Sequence, residues 1–240
     1  MSRIHFSSQQ TGLRHAVAAS FDMSGFSKFC LGPTAHAYLN RYIASLFDLF
    51  DDAFKDWARD FFKDTSGFTQ VPRPDFSKYT GDGAILVWAK DDAKALTSEF
   101  CTSVVAALRH FQQVLPARIS SWEREWHTHS LPKIARFGIA IGPVHPLETD
   151  AGPFLTETID YAGYPINLAV RLQDHCPEVG FIIHGPLHPK LDGLVELKAL
   201  KMKGSMDEPV FAFAEDYKRA TAEVPKEVKA KFCALITGTK

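Results

Sequence analysis

Cysteine is scarce in this 240-residue chain. Its four cysteines, Cys30, Cys101, Cys176 and Cys233, form no CxxC pair. That spacing speaks against a zinc ribbon or a disulfide framework and fits a reducing compartment. An excess of charge of either sign is also lacking. Lys and Arg number 27 against 28 Asp and Glu, a net charge of −1, so nothing favours wrapping nucleic acid or docking on an acidic membrane. No apolar run is long enough to cross a bilayer, and "MSRIHFSSQQTG" has no apolar core of signal-peptide length. Internal repeats and low-complexity linkers are missing too. The expectation is a soluble cytoplasmic protein with neither nucleic acid nor membrane as partner.

What is present is an ordinary globular mix, 45% hydrophobic and 23% charged, ample for a buried core. "HAVAASFDMSGF" predicts a strand from His15 to Phe21 that ends at Asp22. Pro33 suits the first turn of a helix, and Tyr38, Leu39, Tyr42, Ile43, Leu46, Phe50, Phe54, Trp57 and Phe61 then recur at helical spacing. "KYTGDGAILVW" reads as a hairpin turning at Gly81-Asp82-Gly83, followed by a helix over about Asp91–Val114. The stretch from Pro116 reads as a loop with some helix, and "IARFGIAIGPVHPLE" as strand, turn and strand. "GYPINLAVRLQDHC" predicts a helix, "GFIIHG" a buried strand, and "LVELKALKMKG" with "PVFAFAED" a closing antiparallel pair. The order is that of a ferredoxin-like α+β sandwich, βαββαβ, with additional C-terminal α/β elements. One domain is expected over 1–240, with its core at about 14–215 and a charged, peripheral tail at 216–240.

Asp22 at a strand end and Asp82 in a hairpin are the residues with chemical interest. Asp-Gly is ordinary turn chemistry, so one cap aspartate and one turn aspartate would account for both. In a ferredoxin-like sheet, however, the first strand lies beside that hairpin. Two carboxylates converging there would suit a divalent cation bridging nucleotide phosphates. "MSGFS" adds Gly25 and backbone N–H groups at a helix start, where phosphate oxygens bind well.

"FDMSGF", "KYTGDGAILVW", "RFGIAIGPV" and "DYAGYPINLAVRLQ" resemble, in order and rough spacing, the motifs of class III nucleotidyl cyclases, the adenylate and guanylate cyclase catalytic domain. The similarity spans about Ala16 to Phe213. It implies a ferredoxin-like palm, conversion of a nucleoside triphosphate to a 3′,5′-cyclic nucleotide plus pyrophosphate, and a homodimer with active sites at its interface. It implies two Mg²⁺ or Mn²⁺ ions per site on Asp22 and Asp82, aided by the Met23 carbonyl. One ion would activate the ribose 3′-hydroxyl and the other neutralise the leaving pyrophosphate. The backbone of Gly25, Phe26 and Ser27 would cradle the triphosphate, with Arg136 contacting phosphate from the same protomer. From the opposite protomer, Asn167 would orient the ribose, Arg171 stabilise charge on the α-phosphate, and Lys203 grip the terminal phosphates.

Lys78 and Asp160 match the positions at which adenylate cyclases read the base, which disfavours GTP. One donor and one acceptor do not separate ATP from CTP or UTP, so pocket volume must. The long stretch between the two aspartates is rich in phenylalanines, and Phe50 is the candidate to shorten the pocket. A compact chain of mostly catalytic domain carrying "KYTGDG" resembles the bacterial pyrimidine cyclases of Pycsar antiphage defence. That likeness favours a uridylate cyclase, UTP to cUMP, whose product a separate cyclic-nucleotide-sensing effector would read. An adenylate cyclase making cAMP is the alternative. A catalytically inactive nucleotide-binding regulatory module is the reading from another class; the presence of Asp22, Asp82, Asn167 and Arg171 together weighs against it. His127 and His129 in "HTH" lack a third ligand and read as surface residues.

Overall fold

The computed structural model describes residues 12–33, 35–61, 73–148, 159–175, 180–200 and 208–223. Strand β1 (Arg14–Ser24) leads into a short helix α1 (Phe26–Cys30) and the long helix α2 (Ala35–Phe61). The hairpin β2 (Phe76–Tyr79) and β3 (Gly83–Lys90) follows, then α3 (Ser98–Glu125) and β4 (Ile134–Glu148). Next come β5 (Ile159–Ala162), α4 (Tyr164–His175), β6 (Gly180–His184), β7 (Leu194–Leu200), β8 (Glu208–Phe213) and α5 (Ala214–Glu223). Among the described residues these strands form one eight-stranded sheet in the order β2-β3-β1-β4-β6-β8-β7, with β5 paired to β4. β1 pairs antiparallel with both β3 and β4, the expected βαββαβ core, and β6 extends it parallel to β4.

Strand alternation sorts the two faces. Val17, Ala19, Phe21 and Met23 of β1 turn toward α2 and α3, where Tyr42, Leu46, Leu108 and Phe111 complete the main core. Ala18 turns the other way, onto Leu168, Ala169 and Leu172 of α4. Ala16, Val87, Val144 and Tyr161 form a third cluster on that same side. Asp22 follows the even positions, onto the α4 face.

Three expectations need correction. β4 is one strand of 15 residues, without the turn that Gly142-Pro143 suggested, because it pairs with β1 continuously from Ile134–Ser24 to Val144–Arg14. Cross-strand pairing of that length outweighs a local turn preference. α3 starts later and runs on through Pro116 to Glu125. Thr97 caps it, its hydroxyl oxygen accepting from the Phe100 N–H at 3.1 Å. Beyond the proline, fully buried Ile119 keeps the stripe against the core, which offsets the backbone hydrogen bond that Pro116 forfeits. Thirdly, Asp216 is not peripheral: it is 4% exposed and pairs with Arg109 at 3.1 Å, while that guanidinium covers the Phe213 ring at 3.8 Å. The apolar ring and the ion pair together draw the start of α5 onto the sheet.

Gly138 of β4 decides how closely α4 can lie. A Cβ there would stand 2.0 Å from the Ala169 carbonyl oxygen and 2.4 Å from the Gln173 nitrogen. Gly138→Ala is therefore expected to cost about 3 kcal/mol and lower Tm by roughly 6–12 °C in thermal unfolding. A variant that melts with the wild type would mean that α4 does not rest on the backbone there.

Candidate active site

Asp22 stands across from Gly83 of β3 and Arg136 of β4, its direct cross-strand neighbours. Arg136 grips it with two prongs: Nε donates to Oδ1 at 2.8 Å, and Nη2 donates to Oδ2. Charge-assisted pairs of this geometry are strong and directional. Gly83 is required by close approach, since a Cβ would lie 1.8 Å from the Phe21 carbonyl oxygen. Gly81 takes φ +103°, a left-handed conformation that glycine adopts without strain. The Met23 N–H donates to the Asp82 carbonyl at 2.8 Å, strapping the hairpin turn to the end of β1. Asp82 is thus held beside Asp22 by backbone, and turn chemistry delivers a carboxylate to the sheet end. The Met23 side chain is buried in the core, leaving only its backbone near the site.

The Asp82 carboxyl is pushed above the usual aspartate range, chiefly by burial and then by the charge of Asp22. Arg136 opposes this, and Asp174 near the end of α4 adds to it. A raised carboxyl pKa penalises the charged form in the folded state. That stability is fully present below the unfolded value, about pH 4, and is lost as pH rises through the folded one. Without divalent metal, Asp82→Asn is expected to melt above the wild type at pH 8, with the gap closing toward pH 4. A wild type at least as heat-stable as the variant at pH 8 would remove the repulsion.

Gly25, at φ +84°, begins α1 with no side-chain cap, directly after β1. Phe26 turns its ring onto Phe29 and Tyr42, and Ser27 beside it is exposed. Lys78 of β2 and Asp160 of β5 meet as an ion pair at 3.8 Å. The Asp160 carboxylate also accepts the Tyr161 N–H at 2.7 Å. Asn167 and Arg171 are exposed on α4, one turn apart, flanked by buried Leu168 and Ala169 and half-buried Val170. The residues singled out in the sequence thus fall into three groups that the structure assembles: Asp22 and Asp82 with Arg136, Lys78 with Asp160, and Asn167 with Arg171. Sequence reading missed Asp174, whose only signal is its spacing of three from Arg171.

Phe50 lies elsewhere. Its ring stacks on Phe21 at 5.7 Å and packs against Phe54 at 4.6 Å and Phe111 at 5.1 Å. Phe21 and Asp22 are consecutive in a strand, so they point to opposite faces, and Phe50 sits in the core beneath the sheet. Lys203 lies outside the described residues. Among the described residues no cluster of three or more His, Cys, Asp or Glu side chains could hold a metal, and His127 and His129 are exposed. Two carboxylates at one strand end remain a hard-oxygen donor set that fits Mg²⁺ or Mn²⁺ completed by phosphate oxygens. No helix among the described residues is long and apolar enough to cross a membrane.

No protein-family model matches the chain, and no curated protein matches it. Solved structures do. The adenylyl cyclase CyaB from P. aeruginosa superposes with a TM-score of 0.65 at 14% identity, covering 84% of this chain and 94% of that one. The guanylate cyclase domain of RhGC from Catenaria anguillulae, solved with GTP, gives 0.60 at 13% identity, covering 84% and 97%. This chain has the fold of adenylyl and guanylyl cyclases. A dimeric guanylyl cyclase domain of the RhoGC fusion protein from Blastocladiella emersonii gives 0.55 at 12% identity, covering 85% and 98%. At identity this low the superposition establishes the fold alone, and the α+β sheet with its flanking helices follows that plan.

Proposed function

We propose that the protein is a nucleotidyl cyclase. The observation that carries this reading is the convergence of Asp22 and Asp82 with Arg136 at one sheet end, on a fold shared with solved cyclases. Divalent cations held by Asp22 and Asp82, with the Met23 carbonyl, would supply Lewis-acid stabilisation of the attacking and leaving oxygens. The ribose 3′-oxygen bonds to the α-phosphorus, the bond to the bridging oxygen breaks, pyrophosphate departs, and the hydroxyl proton passes to solvent. Arg136, now paired with Asp22, would turn to phosphate oxygens, and the backbone of Gly25, Phe26 and Ser27 would cradle the triphosphate. Asn167 and Arg171 face outward on a single chain, which suits delivery to a second copy's aspartates in a homodimer with composite sites. Lys203 takes the terminal phosphates in this scheme.

Lys78 and Asp160 read the base. Each would leave a polar partner unpaired if lost, so Lys78→Ala or Asp160→Ala is expected to lower kcat/KM by about ten- to a hundredfold. Unchanged steady-state kinetics in either variant would remove the pair from recognition. The finer reading is a uridylate cyclase whose cUMP serves antiphage defence, supported by the likeness of "KYTGDG" to pyrimidine cyclases. The second reading, an adenylate cyclase, gains from the place of Phe50, which packs in the core against Phe21 on the face opposite Asp22. Incubating the protein with ATP, GTP, CTP and UTP separately in Mn²⁺, then resolving the products by chromatography, tests both. One cyclic product is expected, with GTP the poorest substrate. ATP turned over far faster than UTP and CTP would replace the pyrimidine reading, and no cyclic product from any of the four would leave an inactive nucleotide-binding module.

A further inference from the structure

Away from the aspartates, a polar chain that runs from exposed Tyr164 to buried His184 ties the start of α4 to β8 and β6. The Tyr164 hydroxyl donates to Glu208 Oε1 at 2.6 Å, and Glu208 Oε2 lies 3.1 Å from Nε2 of His184. His184 is 6% exposed, and its Nδ1 has no partner, so Nε2 is the nitrogen that donates. Val210 and Ala212 of β8 and Ile182 of β6 pack on the α4 face, and alternation puts Glu208 and His184 on it too. A buried imidazole N–H and a carboxylate satisfying each other where β6 ends and β8 begins make a rigid anchor. Only the tyrosine is on the helix, and it precedes Asn167 by three residues, hence on the same side.

From this geometry we infer that His184 and Glu208 act through Tyr164 as positioning residues, fixing the rotation of α4 and thereby the aim of Asn167 and Arg171. The inference rests on the cyclase reading for the roles of those two side chains. Mid-helix, α4 is already seated on Gly138, where a Cβ would meet the Ala169 carbonyl oxygen at 2.0 Å. The apolar packing of Leu168, Ala169 and Leu172 around that seat is non-directional and still lets the helix rock about it and turn its N-terminal end. The Tyr164–Glu208–His184 chain is the second fixed point, and two points define an orientation. A misplacement of about 1 Å in a group that orients substrate costs up to about a hundredfold in rate. The groups served act on the ribose and on the transition state, so the loss belongs in kcat rather than in KM.

The full-length protein is compared with its Glu208→Ala, Glu208→Gln and Tyr164→Phe variants by hydrogen exchange without nucleotide and by steady-state kinetics on the triphosphate it cyclises. Glu208→Ala and Tyr164→Phe are expected to speed exchange at the amides of Asn167 to Arg171 while leaving β1 and the β2–β3 hairpin unchanged. They should lower kcat about ten- to a hundredfold, with KM within about threefold of the wild type. Glu208→Gln keeps an oxygen for Tyr164 and should recover most of both. Exchange and kcat unaltered in Glu208→Ala would overturn the inference. So would faster exchange throughout the sheet with kcat and KM both impaired, which marks a merely structural role. If the wild type cyclises none of the four triphosphates, the cyclase reading fails by itself. Exchange then decides the anchor: loosening confined to α4 upholds it, and its absence overturns it.

Discussion

Asp22→Ala and Asp82→Ala should each reduce cyclisation by about 10³-fold or more, measured as cyclic nucleotide formed in Mn²⁺. Each removes a hard oxygen donor from a site with few others. The two variants should nevertheless differ in stability, because their environments differ. Asp22 is the partner of a two-pronged guanidinium, and Arg136 is only 26% exposed. Losing that carboxylate takes from a half-buried cation its two-pronged partner, so Asp22→Ala is expected to be destabilised by about 1–3 kcal/mol. Asp82 carries an unfavourable charge in the folded state, so Asp82→Ala should melt no lower than the wild type in the absence of metal. Near-normal turnover by either variant would remove the metal-ligand assignment. Equal melting shifts would show that Arg136 does not hold Asp22 in solution.

Mixing inactive Asp82→Ala with inactive Arg171→Ala is expected to restore activity. Each variant alone should be nearly dead, since every site in its homodimer lacks either a metal ligand or the transition-state arginine. In a mixed dimer one site inherits both lesions and the other inherits neither. Random exchange of equal amounts makes half the dimers mixed, each with one of two sites intact, so about a quarter of wild-type activity should return. Arg171 is exposed on α4, so its alanine variant should fold within about 0.5 kcal/mol of the wild type. The readout is activity against mixing ratio, with subunit exchange followed on differently tagged copies. Exchange without recovered activity would show that Asn167 and Arg171 do not serve a second copy's aspartates.

The chain order of elements was legible because it rests on local signals. Period-two and helical hydrophobic spacing mark β1, α2, α4 and the closing β7–β8 pair, and Gly81-Asp82-Gly83 announces its own hairpin. The same locality explains the misread elements. Gly142-Pro143 and Pro116 carry strong local preferences, and each yields to contacts made by distant residues: β4 to its long pairing with β1, α3 to the core that Ile119 enters. The apolar stripe of α2 revealed that Phe50 is inward. It held no record of which sheet face α2 covers, and that face turned out to be the one opposite Asp22.

By itself, then, the sequence determined the short elements and which polar residues stand at their ends and turns, because residue type, turn preference and periodicity act within a few positions. Tertiary structure alone decided the partnerships: Arg136 on Asp22 across 114 positions, Lys78 against Asp160, and Tyr164, Glu208 and His184 linked across two strands and a helix. Those pairs depend on strand register and on the seat of α4. Both are set by burial summed over the whole sheet, where shifting a strand by one residue would turn every side chain to the opposite face.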